Sequence, residues 1–225
     1  MTNGIESASP LPSLSHPARV SAYDLGAWLY DFIVASRVYH RFVWGMEPSE
    51  HTAFARRSLA AASEGPTLDA GCGSLLFTAP CYRETQRPLT LLDASSGMLA
   101  RGRRRLGSHP AEWVQADLRA LPLADEHFAN VFHFGVLHCI DEAASVLSEL
   151  FRVTRPGGKL FLSSLTLARP RGDAFLRRLA RSGHVAEPRE RERVIAAIEE
   201  VGFTVQSEQQ RGSFLFVEAS KAFRP

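Results

Sequence analysis

Four short stretches of this chain end in residues that could hold a ligand. Asp69 is followed by Gly71 and Gly73 in the run Asp-Ala-Gly-Cys-Gly, Asp93 closes the apolar run 89–92, Asp117 closes 112–116, and Gly135 with His138 belongs to a fourth apolar stretch. Glycines at a strand end let the backbone approach a ligand where a Cβ would collide. A carboxylate at the end of the next strand can accept both hydroxyls of a ribose. The 20 residues from Gly73 to Asp93 are the length a strand–helix–strand unit needs. A nicotinamide-binding turn would need glycine at position 76, where this chain has Leu76, so that reading is set aside. His138, in Val-Leu-His-Cys-Ile-Asp, is the best-placed proton acceptor, or else a group that only positions. His133 lies within the strand-like run and reads as a core or face residue.

Such residues need a scaffold, and the hydropathy pattern describes one. After Gly65-Pro66, short β-like runs at 67–70, 89–92, 112–116, 130–137 and 159–165 alternate with candidate helices at 76–86, 96–106 and 141–153. Alternation of this kind predicts a parallel sheet with right-handed crossovers. In such a sheet ligands bind beyond the carboxyl ends of the strands, at the switch point in strand order. A charged helix near 189–200 is followed by two runs, 203–208 and 213–219, too close for a helical crossover, so the last strand should run antiparallel. Residues 1–20, rich in Ser and Pro, read as a flexible tail, and 21–62 as helical with a broad apolar face.

Length and composition exclude several classes. A chain of 225 residues that is 45% hydrophobic and 22% charged suits one large α/β domain and no disordered or coiled-coil protein. Of its 26 basic residues only Lys159 and Lys221 are lysines, and 24 Asp and Glu leave a net charge of +2. The arginines are spread along the chain, which makes a nucleic-acid partner unlikely. Cys72, Cys81 and Cys139 form no disulfide or zinc pattern, so no metal is expected. Neither a signal peptide nor an apolar run long enough to span a membrane is evident, and a cytoplasmic location is expected.

The segments TLDAGCGSLLFTA (67–79), LLDASSGMLARGRRRL (91–106), VQADLRALPLADEHFANVFHFGVLHCID (114–141) and LFRVTRPGGKLFLSSL (150–165) resemble class I S-adenosylmethionine-dependent methyltransferases, in particular the small-molecule branch related to quinone biosynthesis. The resemblance spans about 21–219 and implies a doubly wound, Rossmann-like α/β sheet of seven strands, in the order 3-2-1-4-5-7-6 with strand 7 antiparallel. It also implies roles. Asp69, Gly71 and Gly73 would surround the methionine and ribose of the cofactor, with Cys72 a backbone neighbour. Asp93 would hold the ribose hydroxyls, Ala94 and Met98 would line the adenine slot, and Asp117 would meet the adenine amino group near the Leu118 amide. Gly135 would pass under the methionine end. Tyr30-Asp31 matches a Tyr-Asp pair of the family, which adds Tyr30 to the cofactor set.

One position departs from the family pattern: the third motif glycine is replaced by Leu75, read here as an ordinary apolar residue entering the following helix. The resemblance implies an N-terminal helical lid over 21–62, a core over 63–225 and a substrate-covering cap near 166–188. The expected activity is methyl transfer to an O, N or C nucleophile of a small, apolar or aromatic metabolite. The alternatives are an RNA methyltransferase, whose best support is Arg101-Gly-Arg-Arg-Arg, and a protein of this fold that binds the cofactor or a metabolite without transferring methyl. Neither the acceptor nor the oligomeric state is readable from one chain.

Overall fold

The computed structural model describes residues 36–223. The expected tail over 1–20, the first part of the lid and Tyr30 lie outside the described residues. The described residues open with α1 (Arg37–Tyr39), a π-helical turn (His40–Trp44) and α2 (Ser49–Ala61). There follow β1 (Thr67–Ala70), α3 (Ala79–Tyr82), β2 (Leu89–Asp93), α4 (Ser96–Leu106), β3 (Glu112–Gln115) and β4 (Phe128–Phe134). After a 3-10 turn (Leu137–Cys139) come α5 (Ala143–Val153), β5 (Thr154–Leu165), α6 (Pro170–Arg181), α7 (Arg191–Glu200), β6 (Phe203–Arg211) and β7 (Phe214–Lys221).

The seven strands form one sheet in the order β3-β2-β1-β4-β5-β7-β6. β1 pairs in parallel with both β2 and β4, and β7 runs antiparallel to β5 and β6. Central strands are covered on both faces, and β1 and β4 are buried almost throughout, their polar Thr67, Asp69, Asn130 and His133 included. The order reverses between β1 and β4, which opens a crevice at their carboxyl ends. The helices bury one stripe each. α5 turns Val146, Leu147, Leu150 and Val153 inward, against Val194 and Ile198 of α7 and one face of the sheet. On the other face α2 and α4 pack Phe54, Leu99 and Leu106 with Phe132 and Phe161.

The helix expected over 76–86 is much shorter, a single turn from Ala79 to Tyr82. Leu75 takes a left-handed backbone (φ 56°), which interrupts any earlier helical winding, and Pro80 sits in the first turn, where proline is tolerated. Leu75 is therefore a buried turn residue and not the first turn of a helix. The described part of the lid region is anchored to the sheet: the Ser213 amide, before β7, donates to the Trp44 carbonyl (2.8 Å).

Candidate active site

Three backbone amides organise the loop after β1. Gly71 and Cys72 both donate to the Leu92 carbonyl (2.7 and 2.9 Å), which turns the chain sharply over the end of β2. The Gly73 amide donates to Oδ2 of Asp93 (2.9 Å), whose Oδ1 accepts from the Ser95 amide (2.9 Å). One carboxylate thus joins the glycine turn to the start of α4, where the Ser95 hydroxyl also caps the Met98 amide (3.1 Å). Met98 and Leu118 are buried, and the Ala94 carbonyl accepts from Gln115 (3.0 Å). The Cys72 thiol is buried and its pKa is pushed up by that burial and by the nearby Asp69 and Asp93, so it is no nucleophile.

Gly73 (φ +55°) and Gly135 (φ +70°) both hold left-handed backbones, and a Cβ built at either would meet nothing within 4 Å. The open space lies at the ends of β1 and β4, on the two sides of the switch point. Between them Asp69 is 1% exposed, and its Oδ2 accepts from the Tyr82 hydroxyl (2.8 Å). Its Oδ1 is buried without a hydrogen-bond partner. Burial is the main cause that lifts the Asp69 pKa to about 7; the Tyr82 hydroxyl works against this and the charge of Asp93 adds to it. A buried acceptor with no partner suits a cationic group that reaches it. Next to it the His133 ring, fully buried, meets the Ala70 carbonyl through Nδ1 (2.7 Å), so Nδ1 carries the proton; burial lowers its pKa to about 4.

Asp117 is partly exposed at the crevice rim. Its carboxylate accepts from Nη2 (2.7 Å) and Nε of Arg119, which also reaches Glu142 (3.1 Å). Hydrogen bonds from Arg119 hold the Asp117 pKa below its ordinary value. Sequence reading did not single out Arg119, nor Tyr82 on Asp69. In both cases the partner is an ordinary residue whose role appears only once the fold brings it beside a motif carboxylate.

The other side of the crevice is built from rings. His138, in the turn after β4, accepts a long hydrogen bond at Nδ1 from the Leu165 amide (3.4 Å), so its proton sits on Nε2. Burial, helped by His133 and Arg189, lowers its pKa to about 3. A neutral imidazole with its proton on Nε2 is a donor there, which favours the positioning role over that of a base. Two contacts hold this turn from the cap: the Ala186 amide donates to the His138 carbonyl (3.0 Å), and Arg189 donates to the carbonyls of Leu137, Ile140 and Asp141. His51 of α2 stacks on Phe77 (4.7 Å between centroids) and meets Phe214 edge-on (4.6 Å). Phe54 touches Phe134 and Phe216, while Phe175 of α6 touches Tyr39 and Trp44. Residues of the 36–62 and 166–188 segments therefore meet each other and the strand ends through aromatic side chains. His51 carried no signal in the sequence, since a lone histidine in an apolar helix has no motif around it.

A doubly wound sheet in this order, with glycines and carboxylates after β1 and β2, is the architecture of S-adenosylmethionine-dependent methyltransferases. Residues 68–162 match the family model described as "Methyltransferase domain". It is 37% identical over 98 residues to malonyl-[acyl-carrier protein] O-methyltransferase of Serratia marcescens, covering 44% of this chain and 37% of that protein. The chain thus spans less than two-fifths of the curated relatives' length in the matched region. The fold is also that of a SAM-dependent methyltransferase of Thermotoga maritima (TM-score 0.69, 15% identity, 90% of this chain and 99% of the other). Geranyl diphosphate C-methyltransferase of Streptomyces coelicolor, solved with S-adenosyl-L-homocysteine, is similar in fold (TM-score 0.65, 13% identity, 82% and 81%). S-adenosylmethionine is the cofactor of this class. The orphaned Asp69 oxygen and the open space over Gly73 and Gly135 fit it. No described helix is long and apolar enough to cross a membrane.

Proposed function

We propose that the chain transfers a methyl group from S-adenosylmethionine to a small, apolar or aromatic metabolite. The observation that carries this reading is the pair of open left-handed glycines, Gly73 and Gly135, in the turns that follow β1 and β4, together with the buried Asp69 of β1. When bound, the cofactor supplies an activated methyl on a sulfonium with a good leaving group attached. The chain's own part is to bind and align. Asp69 would receive the cofactor's ammonium at Oδ1, Asp93 would accept the ribose hydroxyls with its remaining lone pairs, and Asp117 with the Leu118 amide would face the adenine edge. Ala94 and Met98 would flank that ring, while Gly71 and Cys72 hold the turn. His138 would position the acceptor, and Tyr30 would complete the cofactor pocket from the lid. Alignment of reacting atoms is the main rate effect available to such a site, worth up to about 7–11 kcal/mol in well-oriented systems.

The aromatic lining from Phe54, Phe77 and Phe214 supports an apolar or aromatic acceptor over a polymer. Three free cysteines with no disulfide among the described residues support a cytoplasmic setting. The test has two stages. Titration calorimetry should show saturable S-adenosylmethionine binding, and isotope-labelled cofactor with a metabolite extract should yield a product one methyl group heavier. Absence of saturation at millimolar cofactor would sink the reading. Binding without any methylated product would indicate a non-transferring protein of the same fold.

A further inference from the structure

His51 brings a titratable ring from the 21–62 segment to the aromatic side of the crevice, edge-on to His40 (5.3 Å between centroids). It is wedged between Phe77, in the loop that carries the glycines, and Phe214, at the start of β7. Phe214 also meets the His138 ring edge-on (6.5 Å), so the two imidazoles share one neighbour. Each ring has at least one nitrogen that bonds to no described residue: both in His51, and Nε2 in His138. The backbone carbonyl of Phe77 accepts from Thr52 (3.0 Å), which locks α2 in register with the glycine loop and so holds His51 in place.

We propose, resting on the methyl-transfer reading above, that His51 and His138 together bind a hydroxyl of the acceptor and thereby select oxygen as the nucleophile. The polarities are complementary. His138 has its Nδ1 committed to the Leu165 amide, which leaves Nε2–H as a donor to the acceptor oxygen. A neutral His51 always has one nitrogen with a free lone pair, which can accept the hydroxyl hydrogen. A hydroxyl both accepts and donates, so it satisfies the two rings at once. Burial, with the neighbouring His40 and His138, lowers the His51 pKa to about 3, so the ring is neutral near pH 7. Among the described residues no carboxylate perturbs either imidazole, and Arg189 acts on His138. None of these residues offers a protonated amine a counter-charge there.

The step balances. An oxygen lone pair forms the new C–O bond as the C–S bond breaks, with both electrons of that bond going to sulfur. The methylated oxygen is then an oxonium, acidic enough to give its proton even to a weakly basic His51, which releases it to solvent. No oxidant or further reactant enters.

The test uses the full chain with S-adenosyl-L-homocysteine bound and phenol as the probe, followed through the imidazole nitrogen signals of 15N-histidine-labelled protein. Phenol should shift the signals of both His51 and His138, whereas benzylamine at neutral pH should shift neither. In His51→Phe, which keeps the stacking on Phe77, phenol should no longer move His138, while cofactor binding stays unchanged. With labelled cofactor and metabolite extract, His51→Phe should form the methylated product about 10- to 100-fold more slowly, the product should be an O-methyl ether, and His51→Gln should recover part of the rate. Phenol that leaves both rings unmoved, a phenylalanine variant as fast as wild type, or an N- or C-methylated product would each overturn the proposal. If wild type forms no methylated product at all, the functional reading fails, and the phenol titration still decides whether the two rings bind a hydroxyl.

Discussion

The two sides of the crevice are built by different physics. On the β1–β2 side, backbone amides and carboxylates set the geometry: Gly73 and Ser95 on Asp93, Gly71 and Cys72 on the Leu92 carbonyl. On the α2–β7 side, rings set it: His51, Phe77, Phe54, Phe214 and Phe216 in edge and stacked contacts. Hydrogen-bonded turns tolerate few residue types at each position, while an aromatic wall can be assembled from many. The first side is suited to an invariant cofactor and the second to an acceptor that differs from one protein to the next.

Acid should separate the two sides most strongly. His51, His138 and His133 have native pKa values of about 3, 3 and 4 against an ordinary 6.5. For a histidine lowered in this way the unfolded chain binds protons that the native one refuses. The stability is therefore whole above pH 6.5 and falls as pH drops toward 3, by at most about 1.4 kcal/mol per pH unit for each ring. Urea unfolding at pH 7 and pH 5 should show a loss of several kcal/mol, and His51→Phe should flatten that slope by about a third. An equal slope in the variant would mean that His51 does not titrate with unfolding.

Asp69 has the opposite sign. Its native pKa of about 7 lies above the ordinary 3.8, so its contribution is fully present below pH 3.8 and is lost as pH rises through 7. Asp69→Asn should remove this dependence and raise stability at pH 8 by about 2–4 kcal/mol. It should also abolish the rise in S-adenosylmethionine affinity with pH that the ionised carboxylate confers on the wild type below pH 7. Calorimetry at pH 6 and pH 8 distinguishes these outcomes, and an affinity in wild type that is flat with pH would detach Asp69 from the cofactor's ammonium.

The Asp93 clip gives a sharper contrast at constant pH. Asp93→Ala frees the Gly73 and Ser95 amides at once and removes the ribose acceptor, so cofactor affinity should fall about 100-fold or more, corresponding to about 3 kcal/mol. A substitution on the ring side, such as Phe54→Leu, should leave cofactor affinity within about twofold while changing turnover, because Phe54 touches Phe134 and Phe216 and no carboxylate of the cofactor side. Equal losses in both variants would show that the two sides are one cooperative unit.

The same contrast explains what could be read from the residues alone. The antiparallel last strand and the helices near 96–106 and 141–153 follow from periodicity and loop length, the strand order is the one the family resemblance implies, and the Gly73 amide does meet Asp93. The helix over 76–86 did not form because a single left-handed residue and Pro80 outweigh an apolar run. Tyr82, Arg119, Arg189 and His51 stayed hidden because each acts through a contact, made across 2 to 163 residues of chain, that no sequence motif marks. The 24 arginines also have local, structural roles where they are engaged: Arg152 holds Glu149 and the Leu121 and Leu123 carbonyls, and Arg105 reaches the Ser74 carbonyl.

Leu75 gives the smallest predicted effect and tests whether the cofactor side is strained. It occupies the motif's third glycine position with φ 56°, a conformation that costs a branched-chain residue about 1–2 kcal/mol. Its side chain is 1% exposed and points under α4, where a Cβ on Gly102 would lie 3.3 Å from Leu75 Cγ and 3.0 Å from the Trp113 ring. The leucine therefore fills the space between helix and strand and does not narrow the cofactor crevice, and Gly102 is the small residue that makes room for it. Leu75→Gly relieves the backbone but empties a buried site worth about 2–5 kcal/mol, so the net loss should be about 1–3 kcal/mol with S-adenosylmethionine affinity unchanged. Gly102→Ala should nearly cancel, since the helix gains about 1 kcal/mol from alanine and loses a similar amount to crowding against Trp113 and Leu75. Combining Leu75→Gly with Gly102→Ala should then be milder than the sum of the two, because the new methyl enters the space the leucine vacates. Strict additivity in chemical denaturation would mean that the two positions do not share that space, and that Leu75 packs elsewhere.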